Sequence, residues 1–250
     1  MAHRLATRTT PISLFMKPPA DEFQLMDAAA ELAGRSLGDL AQRAGITVPG
    51  DLKHAKGWVG ELLESALGAT AGSRPVPDFE NLGIELKTIP LNPRHQPQES
   101  TFVCTAPLIN TAGLQWENST VKAKLNRVLW VPVEATHDVP VAQRRVGRAI
   151  LWSPSPAESR ILRDDWEEHI ERITLGYLDE LDARLGTYLQ IRPKALNSRH
   201  RTNARNHIGE PVSAVPRGFY LRTCFTRRVL NSFSNPSRNI AAAAAQRPTK

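Results

Sequence analysis

The chain has 250 residues, 41% of them hydrophobic, and a formal net charge of +7. That length suffices for a core of ordinary size in one or two domains, and no run approaches the ~18 apolar residues of a membrane span. Cys104 and Cys224 are the only cysteines, with no CxxC and no clustered histidines, which excludes a disulfide framework and a thiolate zinc site and predicts two packed thiols.

The first twenty residues read as a flexible arm. They carry Arg4, Arg8 and several threonines without an acid, a composition shared with transit peptides, although a cytoplasmic location is the default expectation. Two short helices are predicted next, one with Phe23, Met26 and Ala30 on a face, the other capped by Ser36 with Leu37, Leu40, Ala41 and Ala44 inward. A loop, "ITVPGDLKHAKG", leads to a third helix over Trp58 to Leu67, where Val59, Leu62, Leu63, Ala66 and Leu67 recur at helical spacing and Gly68 supplies the stop. Strands are predicted at "GIELKTI", "TFVCTAPL", "RVLWVPVE" and "AILWSP". A long helix over Ala157 to Ile173 follows, with Leu162, Trp166, Ile170 and Ile173 as its stripe, then a shorter one over Tyr177 to Leu185. Strands in the middle with helices on either side indicate a mixed α and β architecture.

Charge is unevenly spread along the chain. Residues 183–250 hold thirteen Lys and Arg against one acid, Glu210, a balance of +12, whereas residues 1–182 balance at −5. The basic end is therefore the expected contact with a polyanion. Its final piece, residues 235–250, lacks apolar periodicity and reads as a disordered tail. The strand-like "TYLQIRP" and "VPRGFYLR" place the other charges on a folded scaffold.

The stretch "PDFENLGIELKT" sets Asp78 and Glu85 around a glycine, with Lys87 two residues beyond. In a strand Glu85 and Lys87 share one face, ~7 Å apart along the chain, so a carboxylate and an ammonium look into one space. Acid, spacer, acid, one residue, lysine is a pattern that suits metal-dependent phosphodiester hydrolysis. Mg²⁺ takes hard oxygen ligands and keeps waters, and a lysine can orient the nucleophile or stabilise developing charge. The same residues also read as a surface ion pair, and a second acid-x-Lys, Asp51-Leu52-Lys53, sits in a polar loop with no reason for catalysis. On the third helix Glu64 borders the apolar stripe, on the side of Gly57, Gly60 and Gly68, which makes it a candidate third carboxylate; Glu61 faces away.

The block "KGWVGELLESALGATAGSRPVPDFENLGIELKTIP", followed in order by "TFVC", "KLNRVLW", "VPVAQRRVG", "YLQIRPKA" and "PRGFYL", resembles the MutH family of methyl-directed DNA mismatch repair endonucleases. The resemblance runs from about Phe23 to Leu230, and "LNSRHRTNARNHIGEPVSA" keeps little of it. It implies a restriction-endonuclease-like fold over residues 21–234: a mixed sheet flanked by helices, in two lobes around a DNA cleft. It further implies a monomer that uses Mg²⁺ to nick the unmethylated strand of double-stranded DNA at hemimethylated GATC, activated by MutL after MutS has found a mismatch. On matching positions Asp78 and Glu85 become metal ligands, Lys87 the catalytic lysine, and Glu64 and Lys124 further active-site groups. Phe102, Arg192 and Tyr220 become DNA contacts, with Arg192 suited to guanine and Tyr220 facing the adenine edge. From the residues alone, Phe102 and Tyr220 read as core aromatics and Lys124 as a helix-end or loop cation. Two other functions fit the same residues: a freestanding GATC restriction endonuclease, and a basic DNA-binding protein without catalysis.

Overall fold

Three helices open the described part of the chain, and each ends where its sequence stops it. The computed structural model describes residues 17–53, 55, 57–195, 197 and 199–234. Residues 1–16 of the expected arm and the expected tail, 235–250, lie outside them. At the end of that arm Pro19 is buried, and its carbonyl accepts a hydrogen bond from Asn81 Nδ2 at 2.8 Å, so this part is tied to the domain.

Helix α1 (Glu22–Leu32) is capped by Asp21, α2 (Leu37–Ala44) by Ser36 as predicted, and α3 (Trp58–Leu67) stops at Gly68 in the left-handed region, φ 75°. The face assigned to α1 holds only at Met26, which packs partly buried against the core. Leu25, Ala29 and Leu32, spaced i, i+4, i+7, go inward, whereas Phe23 is 73% exposed and Ala30 also faces solvent.

Strand β1 (Glu85–Leu91) pairs in parallel with β3 (Val128–Glu134), and β4 (Ile150–Trp152) pairs antiparallel with β3, which makes the expected mixed sheet in the order β1-β3-β4. Six consecutive residues of β3, Val128 to Val133, are buried. Leu129, Val131 and Val133 pack with α1, α2 and α3, while Val128 and Trp130 face a second core built on α5 and the other large sheet. Coverage of both faces is why this strand reads as a continuous apolar run.

The second sheet has the order β2-β8-β5, all antiparallel, from β2 (Thr101–Thr105), β5 (Leu189–Pro193) and β8 (Arg217–Leu221). Helix α4 (Thr120–Leu125) precedes β3, and α5 (Pro156–Thr174) opens on a full capping box between Ser155 and Glu158. Leu162, Trp166, Ile170 and Ile173 are buried, as their spacing predicts. The helix expected over Tyr177 to Leu185 is only a 3-10 turn, Leu178–Glu180. Two left-handed glycines, Gly176 and Gly186, close off that segment. Four elements went unpredicted: α4, the strands β6 (Thr202–Arg205) and β7 (Pro211–Ala214) that form a ribbon, and α6 (Thr223–Ser234). Cys104 is buried as expected, but Cys224 is exposed. Among the described residues no helix is long and apolar enough to cross a membrane.

Candidate active site

The acid pair is assembled by a tight return of the chain. Phe79 and Ile84 exchange both backbone hydrogen bonds, and Gly83, at φ 64°, makes the turn that lets residue 78 double back onto the start of β1. Asp78 Oδ2 then accepts the amide of Leu86 at 2.8 Å. The spacer between the two acids is thus the length of one closed turn.

Glu85 begins β1 and is 1% exposed, which removes the surface ion-pair reading. Lys87 shares its face and pairs with Glu85 Oε1. Lys124 arrives from the last turn of α4, whose first turn is capped by Ser119. Its Nζ donates to both Glu85 oxygens at 2.9 Å and to the carbonyl of Val76 at 3.1 Å. A carboxylate this buried is tolerated because two ammonium groups neutralise it; alone it would cost several kcal/mol. Lys124 is therefore neither a loop cation nor a solvated helix end.

Glu64, half-buried on α3, completes the group. Burial and the neighbouring charge of Asp78 raise its pKa to about 7. Burial and Glu85 likewise push Asp78 upward. Glu61 is exposed, as its position on the helix predicts. Cys104, on the adjacent strand β2, is raised to about 12 by burial and lies close enough to feel Lys87 and Lys124. In the rejected second match, Asp51 accepts the amide of Lys53 within its own loop.

The other three expected residues meet on one face of the second sheet. Phe102 lies directly opposite Tyr220 across β2 and β8, and their rings make an edge contact, centroids 5.3 Å apart. The Arg192 guanidinium lies 5.8 Å from the Tyr220 ring centre and donates to Ser100 Oγ at 2.7 Å. Neither aromatic is a core residue: Phe219, Leu221, Leu189 and Ile191 fill the core from the opposite face, and Phe102 and Tyr220 stay partly exposed.

A family model described as "DNA mismatch repair enzyme MutH" matches residues 67–165. The DNA mismatch repair protein MutH of Yersinia enterocolitica is 53% identical over 218 residues, 87% of this chain and 96% of its own length. Those of Vibrio parahaemolyticus and Salmonella paratyphi C are 53% and 54% identical, covering 86% of this chain each and 96% and 93% of themselves. The chain belongs to the MutH family.

MutH membership raises the question of a metal ion, and the donor set fits a hard one. Three carboxylates stand against two ammonium groups; burial and the charge of Asp78 destabilise the ionised Glu64, and burial and the charge of Glu85 destabilise the ionised Asp78, which a divalent cation would relieve. Among the described residues no three His, Cys, Asp or Glu side chains form a ready-made cage. The group around Arg192 and Tyr220 also contains residues the sequence reading missed. Lys194, 4.3 Å above the Phe102 ring, follows Arg192 by two residues, and strand alternation alone could have found it. Gly218 lies opposite Arg192, and a Cβ there would come within 2.8 Å of Phe102, so only glycine leaves the ring its place.

Proposed function

We propose that this MutH family member, a DNA mismatch repair endonuclease, nicks the unmethylated strand of double-stranded DNA at hemimethylated GATC, using Mg²⁺ and activated by MutL after MutS has found a mismatch. The observation that carries the chemistry is the buried Glu85 held between Lys87 and Lys124 beside Asp78. Asp78 and Glu85 would hold the cation, which supplies polarisation of the phosphate and a more acidic bound water. Lys87, held by a single bond to Glu85 where Lys124 makes three, is the lysine with fewer contacts to give up in turning toward a scissile phosphate, where it orients the attacking water and offsets developing negative charge. Lys124 holds Glu85 in place. Glu64, able to carry a proton near neutrality, is placed to exchange it with water in the site.

Reading of the site falls to the second group. Arg192 has the fork that fits guanine O6 and N7, and Tyr220, packed against Phe102, presents a fixed edge that an N6-methyl group would crowd. One set of catalytic side chains per chain suits a single-strand cut by a monomer.

The test is a nicking assay on unmethylated, hemimethylated and fully methylated GATC plasmids, with and without Mg²⁺ and MutL. We expect metal-dependent nicks on the first two only, faster with MutL. Concerted double-strand cuts would favour a freestanding restriction enzyme, and binding without cleavage a non-catalytic DNA-binding protein. Tyr220→Ala should narrow the rate difference between hemimethylated and fully methylated sites; unchanged discrimination would return Tyr220 to a packing role.

A further inference from the structure

Between Lys194 and Pro216 the chain leaves the second sheet and returns to the same point, since the Lys194 amide donates to the Pro216 carbonyl at 2.7 Å, one step beyond the last β5-β8 pair. What lies between is the β6-β7 ribbon. It is rooted at the Arg192 end of the DNA-facing strands. Its register pairs Ala204 with Val212 and Thr202 with Ala214, and on that side Ala204 is buried, with Val212 and Ala214 packed against the same core. The other side carries Asn203, Arg205, Pro211 and Ser213, all exposed. Continuing the alternation places Arg201 with Asn203 and Arg205, cations spaced by roughly 14 Å on one edge.

The ribbon is a fixed object. At its tip Asn206 Oδ1 accepts the amides of Ile208 and Glu210, and Gly209 turns at φ 84°. Gly176, at the end of α5, lies against the tip so closely that a Cβ would come within 2.5 Å of Asn206 and His207 backbone atoms, and Tyr177 stacks on His207. Its lone acid, Glu210, is turned to Asn206 Nδ2. A rigid, polar, cationic ribbon beside a DNA-facing sheet is complementary to phosphates and to little else.

We infer that the outer face of the β6-β7 ribbon, through Arg201 and Arg205, grips phosphates of the duplex flanking the recognised site. The inference rests on the DNA-cleaving reading above. It is tested by measuring affinity and its salt dependence for GATC duplexes of increasing length, with the intact protein and with Arg201→Ala/Arg205→Ala. Wild type should bind more tightly as the flanks lengthen, then level off. The variant should lose that gain, bind long duplexes on the order of tenfold more weakly, and show a salt slope shallower by about 2. Equal affinity and slope on long duplexes would overturn the inference. Ser213→Glu, a substitution on the same exposed face that keeps both arginines, should also weaken long-duplex binding, and it decides the matter if the double variant fails to fold. Wild type that binds no duplex at any length would instead overturn the DNA-cleaving reading.

Discussion

Lys87 and Lys124 contact the same carboxylate, yet their other partners differ. Lys124 is bonded three ways, to both Glu85 oxygens and to Val76, while Lys87 bonds Glu85 through one oxygen. Lys87→Ala should therefore abolish nicking with little change in melting temperature, because Glu85 keeps Lys124. Lys124→Ala should lower the melting temperature more, because Glu85 then keeps only Lys87 and the Val76 carbonyl loses its donor, at about 1–3 kcal/mol for a buried polar group left unpaired. Calorimetry and initial nicking rates on both variants check the split. Glu64 yields a second expectation. Its pKa rises from 4.5 to about 7 on folding, so between those values the folded state holds a proton that the unfolded state has released, and stability falls as pH rises through that window. Glu64→Gln should remove this slope, gaining on wild type from pH 5 to pH 7.5, and Mg²⁺ should stabilise wild type more at pH 7.5 than at pH 5. Thermal unfolding at the two pH values, with and without the ion, reads both. Asp78, Glu85 and Lys87 were legible because they fall within one short stretch of chain. Lys124 was not, since its distance from Glu85 in sequence conceals a contact that only the α4-β1 packing creates.

At the scale of elements, helix α5 sets where β5 begins. Asp165, 5% exposed on α5, accepts the backbone amides of Thr187, Tyr188 and Leu189 at 2.6 to 2.8 Å, and His169 one turn on lies 3.2 Å from the Leu189 carbonyl. Removing that carboxylate leaves three amides without their acceptor, each worth about 1–3 kcal/mol if buried and unpaired. Asp165→Ala should thus destabilise the domain by several kcal/mol, and Asp165→Asn by less, as denaturant titration would show. The sequence reading saw α5 clearly from its stripe and its Ser155-x-x-Glu158 box. It overran at 177–185, where Leu178, Leu181 and Leu185 imitate helical spacing but Gly176 and Gly186 leave room for one 3-10 turn. It misplaced the buried face of α1 because alanines at 28, 29 and 30 fit more than one face. In the β6-β7 ribbon only Ala204 is fully buried, and small side chains give almost no hydrophobic period to read.

For the whole molecule, the basic end divides into two populations that composition cannot separate. Arg217 donates to the carbonyls of Leu181 and Leu178, Arg222 to those of Gly186 and Leu185, and Arg228 pairs with Glu158. Arg217 and Arg222 hold loops to the second sheet, and Arg228 ties α6 to α5. Arg192, Lys194, Arg199, Arg201, Arg205 and Arg227 are exposed. If all six reach phosphates, log affinity should fall with log salt at a slope of about −5, measured by titration across salt concentrations. A slope near zero would mean that the basic half does not meet DNA. Charge asymmetry was plain in the sequence, but which arginines hold loops depended on turns that had no signal of their own.

The turn that follows β3 exposes His137 and Asp138 almost completely, and Glu64, Asp78, Glu85, Lys87 and Lys124, proposed above for the chemistry, lie before it, while Arg192 and Tyr220, proposed for the reading, lie after it. A single peptide cut there would divide the polypeptide into a piece that carries the chemistry and a piece that carries most of the reading. The strand that precedes the cut is covered on both faces, so the two pieces would present large complementary apolar surfaces. Such fragments, fused to domains that associate on a signal, would form a nicking activity that is silent when apart and restored by reassembly.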